Sequence, residues 1–245
     1  APKKSCATSP RDNIDCKALD KDTRMTDKPT LWHSYPSRSL RPLWALEEME
    51  IDYELVTLPF PPRLFQREYL DVNALGTVPF FRHGQVEMTE STGICLYLVE
   101  QYQRYDLGLR SGDADYGNYL NWLFHSDATL TFPQTLILRY SQFEPEERRQ
   151  PQVVEDYRLW YLARLKRLNA HLLDHDYLCE NRFTIADIAV GYALYLGEGL
   201  GLAGFYEPQV QAYLARLKAR PAFQRAEPMG AGPDSLVVKK YPFSD

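Results

Sequence analysis

"NALGTVPFFRHGQVEMTESTGICLYLVEQY" spans residues 73–102 and sets a proline at the head of a β-forming run and a Glu-Ser pair at the head of an apolar one. "VPFF" and "VEM" read as two short strands joined through "RHGQ", with Gly84 supplying the turn. "ESTGICLYLVEQY" reads as a helix, with Ile94, Leu98 and Tyr102 on one face. Proline cannot donate to a ladder, so Pro79 belongs on an edge, at a strand's first residue or at a bulge. An ordinary trans strand-start proline meets that rule. So does a cis bond, which turns the Val78 N–H and C=O away from the sheet toward a ligand. Its place at the opening of a hairpin favours the cis form.

Upstream, "TLWH" (residues 30–33) is a short strand and "SLRPLWALEEM" (39–49) a helix. Pro42 is tolerable only in a first turn, so that helix starts between Ser37 and Leu40. "YELVTL" (53–58) is a second strand. "PFPPRLF" (59–65) interrupts it, and a short irregular helix covers Arg63 to Leu70. The order β-α-β-α-β-β-α implies two parallel strands joined by a crossover helix, then an antiparallel hairpin, in one small mixed sheet.

Beyond Tyr105 the strand signals stop. "YRLWYLARLKRLNAHLL" (157–173) carries Tyr157, Tyr161, Leu165, Leu168 and Leu172 as an amphipathic stripe. "EPQVQAYLARLKARP" (207–221) has Pro208 in a first turn and Pro221 as its stop. Mixed α/β followed by all-helix implies two domains. The expected boundaries are an α/β domain at 25–104, a Gly- and Asp-rich linker at 105–115, an all-α domain at 116–226 and an irregular tail at 227–245. Residues 1–24 are polar, aperiodic and precede a start-like Met25, and they read as a disordered or non-native extension.

With 245 residues, 44% apolar and 25% charged, the chain can bury a real core and is not of disordered composition. A net charge of -5 gives no basic footprint, which argues against nucleic acid as a partner. No apolar run approaches the roughly 20 residues of a membrane helix. Cys6 and Cys16 lie in the extension, while Cys95 and Cys179 are isolated in apolar surroundings. Neither a disulfide framework nor a zinc pattern results, so the expected setting is reducing and cytoplasmic.

Glu90-Ser91 opens a helix, where free N–H groups and a partial positive charge suit a ligand carboxylate. Ser91 can add a hydrogen bond and Glu90 can hold an ammonium, so the pair fits an α-amino acid head group; the alternative is a plain helix cap. In "NRFTIADIAVGYAL" (181–194), Thr184 with Asp187 approximates a capping box and Phe183 with Ile188 a hydrophobic staple, together a folding device. His171 and His175 stand one turn apart. Without a third ligand they read as a solvated helix end, not a metal pair.

These motifs together resemble the glutathione transferase superfamily. "LGTVPFF…MTESTGICLYL" resembles its glutathione-binding half, "FTIADIAV" the capping motif of its helical domain, and "WALEEMEIDYE" (44–54) adds to the match, which runs from Thr30 to Ala226. The resemblance implies an N-terminal thioredoxin-like α/β domain with a cis-proline and an all-α C-terminal domain. It implies glutathione as cosubstrate, with Val78, beside Pro79, pairing with its cysteinyl backbone and Glu90 with Ser91 holding its γ-glutamyl end. It also implies a homodimer acting on a small electrophile. A hydroxyl donor near the first helix would stabilise the thiolate. In "HSYPSRSLRP" (33–42) the family's usual Ser or Cys position falls on Pro36, and Ser37 beside it is the candidate, with Ser39, Ser34 and Arg38 as alternatives. The loop has no cysteine, which argues against the thiol-disulfide branch. The glycyl carboxylate contact falls nearest Gln66, with Arg63 and Arg67 as substitutes. Trp122, Phe124, Phe132 and Tyr140 either line the acceptor pocket or are core. "MTESTGICLYL" is also similar to the aryl-ether-cleaving branch. Glutathione-dependent ether cleavage, isomerase or peroxidase activity, or a non-catalytic binding protein of this fold, are the alternatives.

Overall fold

A computed structural model of the chain describes residues 28–232, 235 and 237–243. The expected extension at 1–24, with Cys6, Cys16 and the following Met25, lies outside the described residues. Strands β1 (Thr30–His33), β2 (Glu54–Thr57), β3 (Phe80–His83) and β4 (Val86–Met88) form one sheet in the order β2-β1-β3-β4. β1 and β2 run parallel with Trp32 opposite Val56, and β3 is antiparallel to both β1 and β4. The β3–β4 hairpin turns at Gly84, whose φ of 57° is in the left-handed region where glycine carries no Cβ penalty. The mixed sheet is the one expected from the β-α-β-α-β-β-α order.

The crossover helix α1 (Leu40–Met49) has Pro42 inside its first turn, where the missing N–H costs nothing. Leu43, Trp44 and Leu46 bury its inner face. Between β2 and β3 the chain forms the four-residue helix α2 (Pro62–Phe65) and a 3-10 turn (Arg67–Asp71), and α3 (Ser91–Gln101) follows the hairpin.

The remainder is helical: α4 (Tyr116–His125), α5 (Phe132–Leu138), α6 (Pro151–His171), α7 (Ile185–Leu200), α8 (Pro208–Lys218) and α9 (Pro221–Ala226). A π-helical stretch, Ser126–Thr131, joins α4 to α5, and another, Arg139–Phe143, follows α5. Helix α7 is central and almost wholly buried. Its capping box is formed as expected, with Thr184 Oγ1 accepting from the Ala186 N–H and Asp187 Oδ2 accepting from the Thr184 N–H at 2.8 Å. Trp44 of α1 packs edge-on against Phe223 of α9, with centroids 4.9 Å apart, and beside Phe183. This joins the sheet-bearing and helical regions through one continuous apolar core.

The expected linker at 105–115 is held against the helical region. Leu107 and Leu109 are buried, the Leu107 carbonyl accepts from the Ile185 N–H, and Arg182 donates to the carbonyls of Asp106 and Gly108. The tail after α9 has no further helix or strand among the described residues, yet it is held down. The Gln142 side-chain amide pairs with both backbone groups of Lys239, and the Tyr241 N–H donates to Leu200 O. Cys95 and Cys179 are free and buried, and burial pushes the Cys95 thiol up to about 12. Among the described residues no helix is long and apolar enough to cross a membrane.

Candidate active site

A cleft of about 400 Å³ opens where the loop before α1, the loop before β3 and the start of α3 face the π-helical stretch after α4. Ser37, Val78, Pro79, Glu90 and Ser91 all line it. Gln66 does not. It is exposed and ends α2, its N–H bonded to Pro62 O, whereas Arg63 one turn earlier is on the cleft wall.

The loop ahead of β3 is built to present Val78. Thr77 O accepts from both Tyr69 Oη (2.8 Å) and Asn73 Nδ2 (2.9 Å), which fixes the residue before it. Gly76 turns the chain at φ 58°, and a Cβ there would stand 2.7 Å from Arg63 Cβ and 2.9 Å from Leu70 Cδ2. The Val78–Pro79 peptide is cis, as are Tyr35–Pro36 and Phe60–Pro61. Among the described residues no backbone hydrogen bond uses the N–H or C=O of Val78.

At the start of α3 the N-cap is Glu90, and its side chain makes no cap bond. Ser91 is the first helical residue, and its Oγ accepts from Arg41 Nη1 at 3.0 Å instead of capping the helix. Arg41, from the first turn of α1, is fully buried. It donates to Asp127 Oδ1 (2.5 Å), Thr131 Oγ1 (2.9 Å) and Ala189 O (3.1 Å), and its guanidinium lies 4.7 Å from the Tyr192 ring centre. A buried guanidinium is tolerable only when its donors are met this fully. Asp127 also accepts from Thr92 Oγ1 (3.2 Å) and lines the cleft. Sequence reading missed Arg41 and Asp127. The only signal was an arginine placed among the apolar residues of α1, where a charge needs a buried partner.

In the loop before α1, Ser37 and Arg38 line the cleft, while Ser34 and Ser39 are buried behind it. Ser37 Oγ lies 2.6 Å from Ser39 Oγ, and Ser39 Oγ lies 2.8 Å from His33 Nδ1. His33 Nε2 lies 2.9 Å from the Met229 carbonyl. A carbonyl only accepts, so neutral His33 carries its proton on Nε2 and its Nδ1 accepts from Ser39. Burial lowers the His33 pKa to about 4, against the Met229 carbonyl, which raises it.

The opposite wall is apolar: Phe60, Leu138, Phe143, Leu196 and Val238, with Tyr192. The aromatics Trp122, Phe124, Phe132 and Tyr140 do not line it. Phe124 and Phe132 are largely exposed, and Trp122 faces a separate cavity with Arg167 and His171. The π-helical stretch lies ahead of Phe132 and Tyr140, and its wider turn rotates these two away from the face that a 3.6-residue period gives. His171 and His175 stack at 4.3 Å, and among the described residues no cluster of three or more metal-ligating side chains exists.

A family model described as the glutathione S-transferase N-terminal domain matches residues 28–100, the segment that carries the sheet, Val78 and Ser91. These matches support a place for the chain in the glutathione S-transferase superfamily. It is 27% identical over 203 residues to glutathione S-transferase GstB of Escherichia coli (strain K12), covering 80% of this chain and 96% of that one. It is 26% identical over 207 residues to glutathione S-transferase A of Pleuronectes platessa, covering 82% and 92%. The solved structure of glutathione transferase F7 from Populus trichocarpa superposes with a TM-score of 0.72 at 21% identity, over 83% of this chain and all of that one. The architecture is therefore the expected glutathione transferase fold, a thioredoxin-like α/β region followed by helices.

Proposed function

We propose that the protein is a glutathione transferase that ionises bound glutathione and delivers its sulfur to a small, hydrophobic or aromatic electrophile. The observation that carries this reading is one cleft with two chemically different walls. One wall offers the Val78 backbone, Glu90, Ser91 and the start of α3, with Ser37 nearby, and the other is apolar around Phe60, Phe143 and Tyr192.

Each end of the tripeptide has a matching partner. The γ-glutamyl carboxylate meets Ser91 and the unpaired N–H groups at the start of α3, where the helix dipole favours an anion. Its ammonium meets Glu90 and Asp127. The cysteinyl backbone pairs with Val78, and Arg63 takes the glycyl carboxylate in place of Gln66. An unperturbed thiol has a pKa of about 8.5, so only a few per cent is ionised at neutral pH. Ser37 and the N-terminal end of α1 supply the stabilisation that shifts it. The loop offers no cysteine, so conjugation by a thiolate is the supported chemistry and a mixed disulfide with the protein is not. The protein acts in the cytoplasm as a homodimer.

The test is retention on immobilised glutathione, followed by a panel of aromatic halides, aryl ethers and hydroperoxides. Conjugation or ether cleavage supports the reading. Retention without turnover of any electrophile would make this a binding protein. Failure to bind glutathione would remove the site assignment. Sedimentation at micromolar concentration tests the dimer, and a single-chain species contradicts it.

A further inference from the structure

His33 contacts no part of the cleft, yet it ends a chain of hydrogen bonds that begins there. Its Nε2–H donates to Met229 O, so its Nδ1 must accept. Among the described residues the only hydroxyl on Nδ1 is that of Ser39, which therefore donates. Ser39 Oγ has then spent its proton and accepts from the Ser37 hydroxyl at 2.6 Å and from the Ser34 N–H at 3.3 Å. The direction of the chain is thereby set: Ser37 sends its proton inward and turns a lone pair toward the cleft.

The tail that fixes this direction is fitted against the imidazole. Gly230 has φ 76°, and a Cβ on it would stand 3.1 Å from His33 Cδ2 and 2.9 Å from Thr57 Cγ2. Tyr53 Oη reaches Met229 Sδ at 3.5 Å from the other side. The titratable groups on the elements packed around His33 are Tyr53, bonded to Glu47, and Glu227, which Tyr35 and Tyr195 hold. Among the described residues none of these bonds to the imidazole. Its two ring nitrogens see only Met229 O and Ser39.

We propose that His33 takes up the thiol proton of bound glutathione through Ser37 and Ser39, so that the thiolate forms without release of a proton to solvent. This rests on the reading of the cleft as a glutathione site. The S–H bond breaks as its proton joins Ser37 Oγ. The proton that Ser37 held passes to Ser39 Oγ, and that of Ser39 passes to His33 Nδ1. Three bonds to hydrogen break and three form. Sulfur keeps the electron pair, His33 becomes an imidazolium, and the net charge is unchanged. The hydrogen bonds now run the other way: Nδ1–H to Ser39, Ser39 to Ser37, Ser37 to sulfur, with Nε2–H still on Met229 O. The transfer that removes the proton also turns Ser37 into a donor to the thiolate. His33 acts through the two serines and never touches the ligand, so it is a positioning residue.

Burial keeps the imidazole neutral near pH 7 but by itself opposes the added proton, so the charge formed on sulfur has to offset that cost. The thiolate in turn favours the imidazolium, because opposite charges attract strongly where water is excluded.

Glutathione binding, followed together by thiolate absorbance and by calorimetry in buffers of different ionisation enthalpy, counts protons released per thiolate formed. The wild-type protein should form thiolate near pH 7 with clearly fewer than one proton released for each. His33→Asn keeps an acceptor for Ser39 but cannot take the proton, and Ser39→Ala cuts the chain. Both should raise the thiol pKa in the complex by about one unit or more, a tenfold change in the ionisation constant, and release one proton for each thiolate that remains. S-methylglutathione, which has no thiol, should bind wild type and variants alike and so reports that the fold and cleft are intact. One proton released per thiolate in the wild type, or an unshifted titration in His33→Asn, overturns the relay and leaves the glutathione site standing. No binding of either ligand to the wild-type protein overturns the site reading and the relay with it.

Discussion

Arg41 donates to Ser91 Oγ at 3.0 Å, and this single bond decides what the serine can offer a ligand. Guanidinium has no lone pair to give, so the hydroxyl must accept, and its own proton stays available for the cleft. The same guanidinium holds Asp127 and Thr131 from the helical region and the Ala189 carbonyl of α7. One side chain of α1 thereby ties the start of α3 to two further elements. Ser91 is consequently placed by long-range contacts and not by its own helix.

Removing Arg41 strands these partners. Arg41→Ala leaves Asp127 without its counter-charge and several buried acceptors unmet, so it should lower unfolding free energy by roughly 3 kcal/mol. Urea denaturation measures this. A loss under about 1 kcal/mol would mean that the network is dispensable to the fold.

Ser91→Ala removes a hydrogen bond to a charged group, worth about 1.5 to 3 kcal/mol. Glutathione affinity should fall at least tenfold, while stability changes much less than in Arg41→Ala. Calorimetric titration distinguishes the two, and unchanged affinity would return Ser91 to a purely structural role.

Gly76→Ala should act on binding through the backbone. The left-handed φ costs a non-glycine residue roughly 1–2 kcal/mol, and the new methyl meets Arg63 Cβ at 2.7 Å and Leu70 Cδ2 at 2.9 Å. Relief moves the loop that carries Val78, so a weaker Kd for glutathione and a lower Tm should appear together. A Tm drop with unaltered Kd would separate this loop from the site.

Asp187 gives a pH signature of the fold. Burial raises its pKa from 3.8 to about 6, while hydrogen bonds from Tyr213, Thr184 and Leu178 pull the other way. The folded state therefore binds the proton more tightly than the unfolded chain between about pH 4 and 6. Stability from this group is present below the unfolded pKa and is lost as pH rises through the folded value. A shift of this size corresponds to about 3 kcal/mol. The stability of wild type minus that of Asp187→Asn should fall between pH 4 and 6 and then level off. A flat difference contradicts the raised pKa.

What the sequence made legible was local. The two short β-forming runs around Gly84, the prolines at 42, 208 and 221, and Thr184 with Asp187 each act within a few residues, and each produced the element expected of it. What stayed hidden was non-local or aperiodic. Arg41 looks like any helical arginine until Asp127, 86 residues away, is folded against it. The π-helical stretch at 126–131 breaks the helical period ahead of Phe132, and Phe60, Phe143 and Tyr192 form the apolar wall instead. Gln66 is the nearest match that the family resemblance offers for the glycyl carboxylate, and the turn that ends α2 leaves it outside the cleft.

The last prediction concerns Ser37, the one hydroxyl of its loop that both lines the cleft and bonds to the buried serine behind it. Ser37→Ala removes the donor to sulfur but leaves the N-terminal end of α1, whose dipole also favours an anion. The thiol pKa in the complex should rise and the rate profile should move to higher pH, with activity reduced and not abolished. Glutathione affinity should change little, because the tripeptide is held through its backbone and γ-glutamyl end. Arg38 also lines the cleft, but its guanidinium is engaged by Thr135 Oγ1 at 2.8 Å. If Ser37→Ala leaves the thiolate titration in place while Arg38→Ala moves it, the arginine is the donor. If neither moves it, the backbone N–H groups at the helix start carry the charge, because the loop's remaining cleft residue, Pro36, has no donor.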